Sequence, residues 1–317
     1  MSHTQLGVAP APAALSTLRV GIDIGGTKTD AVAIAPTGEI LQRLRLPTGF
    51  GPEAVLETAV SAVTQLGELA HTEVASFVSI GIGIPGAVDN GTGRVTHAVN
   101  LGLEGLELGA ELTARLGRPV RIDNDVNAAA LGAFHLLEKH ENLSMAYLNL
   151  GTGLAAGIVI DGRVWRGSRG TAGEIGHIPV DPNGPECPCG QRGCLEMLAS
   201  GSAIARQWPT DDPKPARSLF AAAAAGDPHA LEIKNRFVEN VAAAVRLLVL
   251  TVDVDSVVIG GGLSSLGPIL LDDVRAVLAS WEAASGFLAS TELSTRVAIV
   301  PVDFPAAAFG AALVGVA

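Results

Sequence analysis

Cysteine is scarce in this 317-residue chain: Cys187, Cys189 and Cys194 make the full set, all within eight positions. An odd number grouped so tightly does not form a disulfide framework. The chain also lacks any run of 18 uncharged apolar residues. Its best stretch, around Val241 to Leu250, is broken by Arg246 and reads as a buried helix. No cationic start followed by an apolar core opens the sequence, so no secretory signal is expected. Basic residues are in the minority, 21 Lys plus Arg against 32 Asp plus Glu, a formal −11. Such a surface repels nucleic acid and anionic membrane, and neither is an expected partner. These absences lead to the expectation of a soluble, cytoplasmic protein. A nucleotide, if bound, must be held locally by backbone N–H groups, helix N-termini and a metal ion.

The chain has ample apolar material and regular patterning. It is too long for one average domain and suits two lobes, and 48% hydrophobic residues suffice for a core in each. Residues 1–17 are Ala/Pro-rich and aperiodic, which predicts a flexible tail. Strand patterns are expected at 19–24, 29–34, 78–84, 120–122 and 256–259. Helical periodicity covers 53–69, 107–116, 125–137 (with Asn124 as N-cap) and 230–251, with further helices before Ala225. Helices and strands intermix throughout, the mark of an α/β protein.

A second hairpin begins at Ala146 and matches the first. DIGGTKTDAVAI at 23–34 aligns with NLGTGLAAGIVI at 149–160, each a strand, a Gly/Thr turn and a returning strand. Such a repeat marks two related lobes facing each other. Glycine turns follow strands at 25–26, 151–153 and 260–262. Without Cβ atoms, their backbone N–H groups can approach phosphate oxygens. A single glycine turn is most often only a hairpin; three together point to a nucleotide cleft. Two familiar motifs are excluded. Gly21 to Thr29 nearly spells a P-loop, but Thr27 stands between Gly26 and Lys28, and a strand follows. Gly81 to Gly86 matches G-x-G-x-x-G, but Pro85 and the turn-rich residues after it open no helix.

Asp123-Asn124-Asp125 opens the 125–137 helix. Asp123 reads as a capping or dipole partner. Asp125 suits that role too, or that of a fixed carboxylate taking the proton of an attacking hydroxyl, the one base phosphoryl transfer requires. The sharpest local signal is His177 followed by Cys187, Cys189 and Cys194, a closed Cys₃His set of the structural zinc type. Three free thiols and a loop histidine are the alternative, but this Gly/Pro-rich loop has little to bury thiols with. Glu174 and Glu196 flank the set and would point at whatever the loop borders; carboxylates commonly accept hydrogen bonds from sugar hydroxyls.

Taken in order, Asp23-Ile-Gly-Gly-Thr-Lys28, Gly83-Ile-Pro-Gly86, Asn124-Asp125, Gly151-Thr-Gly153, Gly173-Glu-Ile-Gly-His177, Cys187-Pro-Cys-Gly-Gln-Arg-Gly-Cys194-Leu-Glu196 and Gly260-Gly-Gly262 resemble the ROK family (repressors, open reading frames, kinases), particularly its bacterial glucokinases. The match runs from Val20 to the C-terminus. The resemblance implies a two-lobed actin-like ATPase fold of ribonuclease H-like lobes, with the active-site cleft between them. It would divide the chain into 18–123, with 305–317 returning to it, and 124–304, carrying a zinc loop at 177–194. Asp125 would be the catalytic base, and Gly86, Asn100, Asn124, Glu174, His177 and Glu196 would meet the sugar. Gly25, Gly26, Thr27, Lys28, Gly151, Thr152 and Gly153 would line the phosphates, Gly261 and Gly262 the adenosine, and Asp23 would act near Mg²⁺. His177 would serve twice, one ring nitrogen on zinc and the other on a sugar hydroxyl. ATP, Mg²⁺ and structural Zn²⁺ are the implied cofactors, and relatives are usually dimers or tetramers.

Glucose is the first choice of acceptor, by family frequency, with N-acetylglucosamine, N-acetylmannosamine, fructose and allose as alternatives. After Asn100-Leu101, where many family kinases carry an aromatic, this chain has Gly102-Leu103-Glu104-Gly105, which leaves the choice of sugar open. Polyphosphate is the less expected donor. The other classes are a sugar-responsive repressor, a non-catalytic sugar-sensing regulator and an actin-like ATPase acting on no sugar. The repressor is disfavoured because about 20 residues precede Asp23 and contain no basic helix. Retention of Asp23 and Asp125 speaks against the non-catalytic regulator, and the Cys₃His loop with its glutamates against the ATPase.

Overall fold

A computed structural model describes residues 17–137 and 143–315. The tail expected at residues 1–17 therefore lies outside the described residues except for Thr17. The chain opens with three antiparallel strands, β1 (Arg19–Ile24), β2 (Lys28–Ile34) and β3 (Ile40–Pro47), followed by helix α1 (Pro52–Leu69) and strand β4 (Ser79–Ile84). A small meander of β5 (Ala87–Asp89), β6 (Arg94–Ala98) and β7 (Leu103–Leu106) leads into α2 (Leu108–Leu116), β8 (Val120–Asn124) and α3 (Asp125–Leu137). The second half repeats the plan with β9 (Ser144–Leu150), β10 (Leu154–Ile160) and β11 (Arg163–Val164). Helices α4 (Gly201–Gln207), α5 (Pro215–Ala224) and α6 (Pro228–Val252) precede β12 (Ser256–Gly260). Helices α7 (Pro268–Ala284) and α8 (Gly286–Ala289), strand β13 (Val297–Ile299) and helix α9 (Ala306–Val314) complete the chain.

The two five-stranded sheets have the same order, β3-β2-β1-β4-β8 and β11-β10-β9-β12-β13. In each, the first three strands in sequence pair antiparallel and the last two join in parallel. The hairpins aligned in the sequence, 23–34 and 149–160, thus occupy equivalent places. β4 is buried along its whole length, which its parallel neighbours on both sides explain. β3 alternates between half-buried and exposed positions at a sheet edge. That polar alternation (ILQRLRLP) is why sequence reading passed over it, as it did the short strands of the meander and β11, β13 and α7.

Two helices join the sheets. α3 buries every residue from Val126 to Phe134, and α9 lies against α3 and against β1, β2 and β4. They meet backbone to backbone. A Cβ on Gly310 would sit 1.7 Å from the Ala128 carbonyl oxygen, and one on Gly81 1.9 Å from that of Ala311. Gly81, one of the three glycines of the rejected dinucleotide motif, is thus a close-packing glycine. No helix among the described residues is long and apolar enough to cross a membrane.

Candidate active site

β8 passes into α3 with no loop, so the residues of the turn are fixed from both sides. Asn124 caps the helix as expected: its Oδ1 accepts the N–H groups of Val126 at 2.9 Å and Asn127 at 3.3 Å. Its amide donates to the Gly86 carbonyl at 3.2 Å, tying β8 to the turn after β4. Asp123 requires a correction. Its carboxylate is fully buried and accepts hydrogen bonds from Arg166, Asn127 and the Asn124 N–H, so it is the buried half of an ion pair with the half-buried Arg166 and more than a helix-end charge. Asp125 is the first residue of α3 and accepts the Val126 N–H at 3.0 Å. Burial pushes its carboxyl up to about 6, against the pull of the backbone hydrogen bonds, and the Glu174 charge adds to the rise.

Asp125 borders a cavity of about 400 Å³ together with Asp23, Lys28, Gly261 and Gly262, all singled out in the sequence. Asp23 and Asp30 are directly paired across β1 and β2, and Arg45 grips Asp30 through two hydrogen bonds of 2.7 and 2.9 Å. Burial first, then the charges of Asp125 and Asp30, raise Asp23 to about 8, while Lys28 opposes the rise. On the far wall the hydroxyl of Tyr147, the chain's one tyrosine, accepts the Gly261 N–H at 3.0 Å. Burial pushes that phenol upward, so it stays neutral. Gly261 has φ +77°, ψ −176°, and a Cβ there would lie 2.6 Å from both the Asn149 Oδ1 and the Leu150 carbonyl oxygen. Only glycine occupies such a position without strain.

A second cavity, also about 400 Å³, is lined by Gly86, Asn124, Glu174 and His177, with Asn90, Asn127 and Arg169. Val126 lines both cavities, so the start of α3 forms the partition between them. Within a lining that includes Val88, Val126 and several alanines, the second cavity offers carboxylate, amide and imidazole groups together, a set suited to a polyhydroxylated ligand.

His177 reaches this cavity from the cysteine loop. The ligand atoms of His177, Cys187, Cys189 and Cys194 all lie within 4.8 Å of one another. Cys187 Sγ is 3.7 Å from His177 Nδ1, and Cys189 Sγ is 3.7 Å from Cys194 Sγ. A tetrahedral zinc with Zn–S bonds of about 2.3 Å would place its sulfur ligands roughly 3.7 Å apart, so the set fits the ion; a disulfide would need about 2.05 Å. Because Nδ1 faces the thiols, Nε2 is the nitrogen left for another partner. Gln191 braces the loop by donating to the His177 carbonyl at 3.0 Å.

Several expected residues line neither cavity. Asn100 stands against the first glycine turn, 3.2 Å from where a Gly26 Cβ would be, and that turn is closed by the Gly25 N–H on the Lys28 carbonyl. Glu196 accepts the Leu154 N–H at 2.9 Å and lies against Gly153, so it braces the turn of Gly151, Thr152 and Gly153. Sequence reading missed Asp30, Arg45, Tyr147, Asn127 and Arg166. Asp30 had a readable signal, since it lies on the face of β2 opposite Asp23. Arg166 had none, because its partner is 43 residues away.

Comparison with known proteins identifies the family. The ROK family model matches residues 19–312. A glucokinase of Halalkalibacterium halodurans is 34% identical over 275 residues, 81% of this chain and 83% of the relative. An N-acetylmannosamine kinase of Haemophilus influenzae is 34% identical over 246 residues, 76% and 79% of the two chains. The structure of a ROK family glucokinase from Streptomyces griseus in complex with glucose and AMPPNP superposes with a TM-score of 0.77 at 30% identity, covering 94% of this chain and 99% of that one. The fold is that of the actin-like ATPases, and the chain belongs to the ROK family.

Proposed function

We propose that this chain is an ATP-dependent sugar kinase that transfers the γ-phosphoryl group to the 6-hydroxyl of glucose. The observation that carries the reading is the position of Asp125: it lines a cavity walled by Asp23, Lys28 and the third glycine turn, and the next residue, Val126, also lines one walled by Asn124, Glu174 and His177. Sugar in the second and nucleotide in the first would meet at this carboxylate. Asp125 takes the hydroxyl proton as the oxygen attacks phosphorus, and ADP leaves on the other side. With its carboxyl raised to about 6, Asp125 is ionised at neutral pH yet more basic than an ordinary aspartate. Glu174, Asn124 and His177 Nε2 orient the sugar, with Gly86, Asn100 and Glu196 shaping its surroundings. Lys28 and the turns at Gly25 to Thr27 and Gly151 to Gly153 hold the phosphates, and Gly261 and Gly262 the adenosine.

Asp23, facing Asp125 and Asp30, is the residue to hold Mg²⁺ near the phosphates, where the ion would supply charge neutralisation. His177, Cys187, Cys189 and Cys194 would hold a structural zinc that fixes the imidazole. The lobes follow the sheets, 18–123 with 305–317 returning and 124–304, in a cytoplasmic dimer or tetramer. Coupled ADP detection with glucose tests the reading: turnover in the wild type and a loss of about 100-fold or more in Asp125→Asn is expected, and wild-type turnover by the variant overturns the base assignment. N-acetylmannosamine is the second acceptor to assay, favoured by the relative of that name at equal identity. Preference for it would replace glucose and keep the mechanism.

A further inference from the structure

The buried carboxylate of Asp123 has no part in the reaction as derived, yet it is fully enclosed. A buried charge is retained only when paired and hydrogen-bonded. Its partner is Arg166, which follows β11 of the other sheet, so the pair spans the two halves of the molecule. Asp123 also accepts the Asn124 N–H at 2.8 Å and reaches the Asn127 amide at 3.4 Å. Those two residues bracket Asp125 in the chain, one before it and one in the first turn of α3. On the other side, the Arg166 carbonyl accepts the Ala172 N–H at 3.2 Å and so closes the loop that ends at Gly173 and Glu174. Gly173 is itself strapped to β10, its carbonyl accepting the Ala156 N–H at 2.8 Å.

One ion pair therefore ties together two walls of the second cavity, the Asn124–Asp125 turn and the loop that delivers Glu174. We propose that Arg166 is a positioning residue: by clamping Asp123 across the sheets, it holds Asp125 at the height where a sugar hydroxyl bound between Glu174 and Asn124 can reach it. The inference rests on the kinase reading above. Arg166 touches neither substrate nor reacting atoms; it acts through Asp123 and through the base of the 166–174 loop. A bidentate fork between two hydrogen-bonded sites is a task for guanidinium, and a lysine ammonium meets it only as a point charge.

Removing the clamp should loosen the reacting geometry more than it weakens binding. In full-length protein, Arg166→Gln is expected to lower kcat on the order of 100-fold, the effect of a displacement near 1 Å at a reacting centre. Sugar affinity measured calorimetrically without nucleotide should change less than tenfold. Arg166→Lys should recover part of kcat. Asp123→Asn combined with Arg166→Gln should lose less than the product of the two single losses, because the double variant leaves no unpaired buried charge. A kcat for Arg166→Gln within twofold of wild type, in a protein with an unchanged melting temperature, would overturn the proposal. Equal losses in affinity and kcat, or strict additivity in the double variant, would overturn it as well. Arg166→Lys remains available if the glutamine variant fails to fold; wild-type kcat there in place of a partial loss counts against the fork. Wild-type protein inactive on every sugar would instead refute the kinase reading, with calorimetric sugar binding still able to test the clamp.

Discussion

The two sheets share strand order and strand sense, but their glycine turns are held in different ways. The first turn is closed by its own backbone, Gly25 on Lys28, and leaves the acids Asp23 and Asp30 side by side on the strands it joins. The second closes on itself too, Gly151 on Gly153, but it is also gripped by a side chain: Glu196 takes the Leu154 N–H, and Gly201 and Ser202 donate to the Gly151 and Thr152 carbonyls. The third turn, at the end of β12, is fixed by Tyr147. The difference teaches that a repeated topology does not divide the chemistry evenly. Asp23 and Asp125, the carboxylates with raised proton affinity, belong to the first half, and the second supplies the scaffold that places His177 and Glu174 in the wall of the neighbouring cavity.

The largest test of that division is Asp125→Asn. Turnover should fall by about 10²–10⁴-fold, while calorimetric sugar affinity, carried by Asn124, Glu174 and His177, stays close to wild type. The same variant should be more stable. The folded carboxyl titrates near 6 against an ordinary 3.8, so the fold favours the protonated form and loses stability as pH rises from about 4 through 6. Asparagine removes that cost, on the order of 1–3 kcal/mol at pH 7.5, and a lower melting temperature at that pH would contradict the raised value. The wild-type rate should correspondingly fall as pH drops through about 6, the window in which the base becomes protonated; a rate flat from pH 5 to 8 would remove Asp125 from the role.

The second half is tested by its metal set. Cys189→Ser, or chelation, should release about one zinc per chain and raise the sugar KM through His177, with a smaller effect on the KM for ATP. Metal analysis showing no zinc in native protein, or a change confined to ATP, would break the link between the cysteine loop and the sugar wall. Gly261→Ala, at φ +77°, should cost about 1–3 kcal/mol of backbone strain and weaken nucleotide binding more than sugar binding, and equal weakening of both would blur the division. Asp23→Ala should diminish the response to Mg²⁺ with little effect on sugar affinity, which titration of the rate with Mg²⁺ would check.

Much of the site was legible because its parts are local. Asn124 read as a cap because cap and helix are adjacent, and its hydrogen bonds to Val126 and Asn127 agree. The cysteine set was legible because three ligands fall within eight positions; the expectation that the loop has little to bury thiols with was wrong, since Cys187 and Cys194 are buried beside Met197. Elements at the edges were harder. β3 alternates with arginines at its exposed places, and a pattern so polar reads as loop until a neighbouring strand supplies hydrogen bonds. Glu196 looked like a cavity residue from its place beside Cys194, but which way a side chain points out of a short turn depends on what it finds there, and it found the Leu154 N–H.

By itself the sequence determined the alternation of strands and helices, the three glycine turns, the metal-type set of ligands and the acid at a helix start. Each of these is written within a dozen or so neighbouring residues, at ranges where backbone sterics and periodicity act. Only the tertiary structure decided that Asp125 stands beside Val126 where two cavities meet, that Asp123 is clamped by Arg166, and that Gly81 admits α9. Those outcomes depend on contacts between segments brought together by burial, and the energy of such contacts has no local signature in the chain.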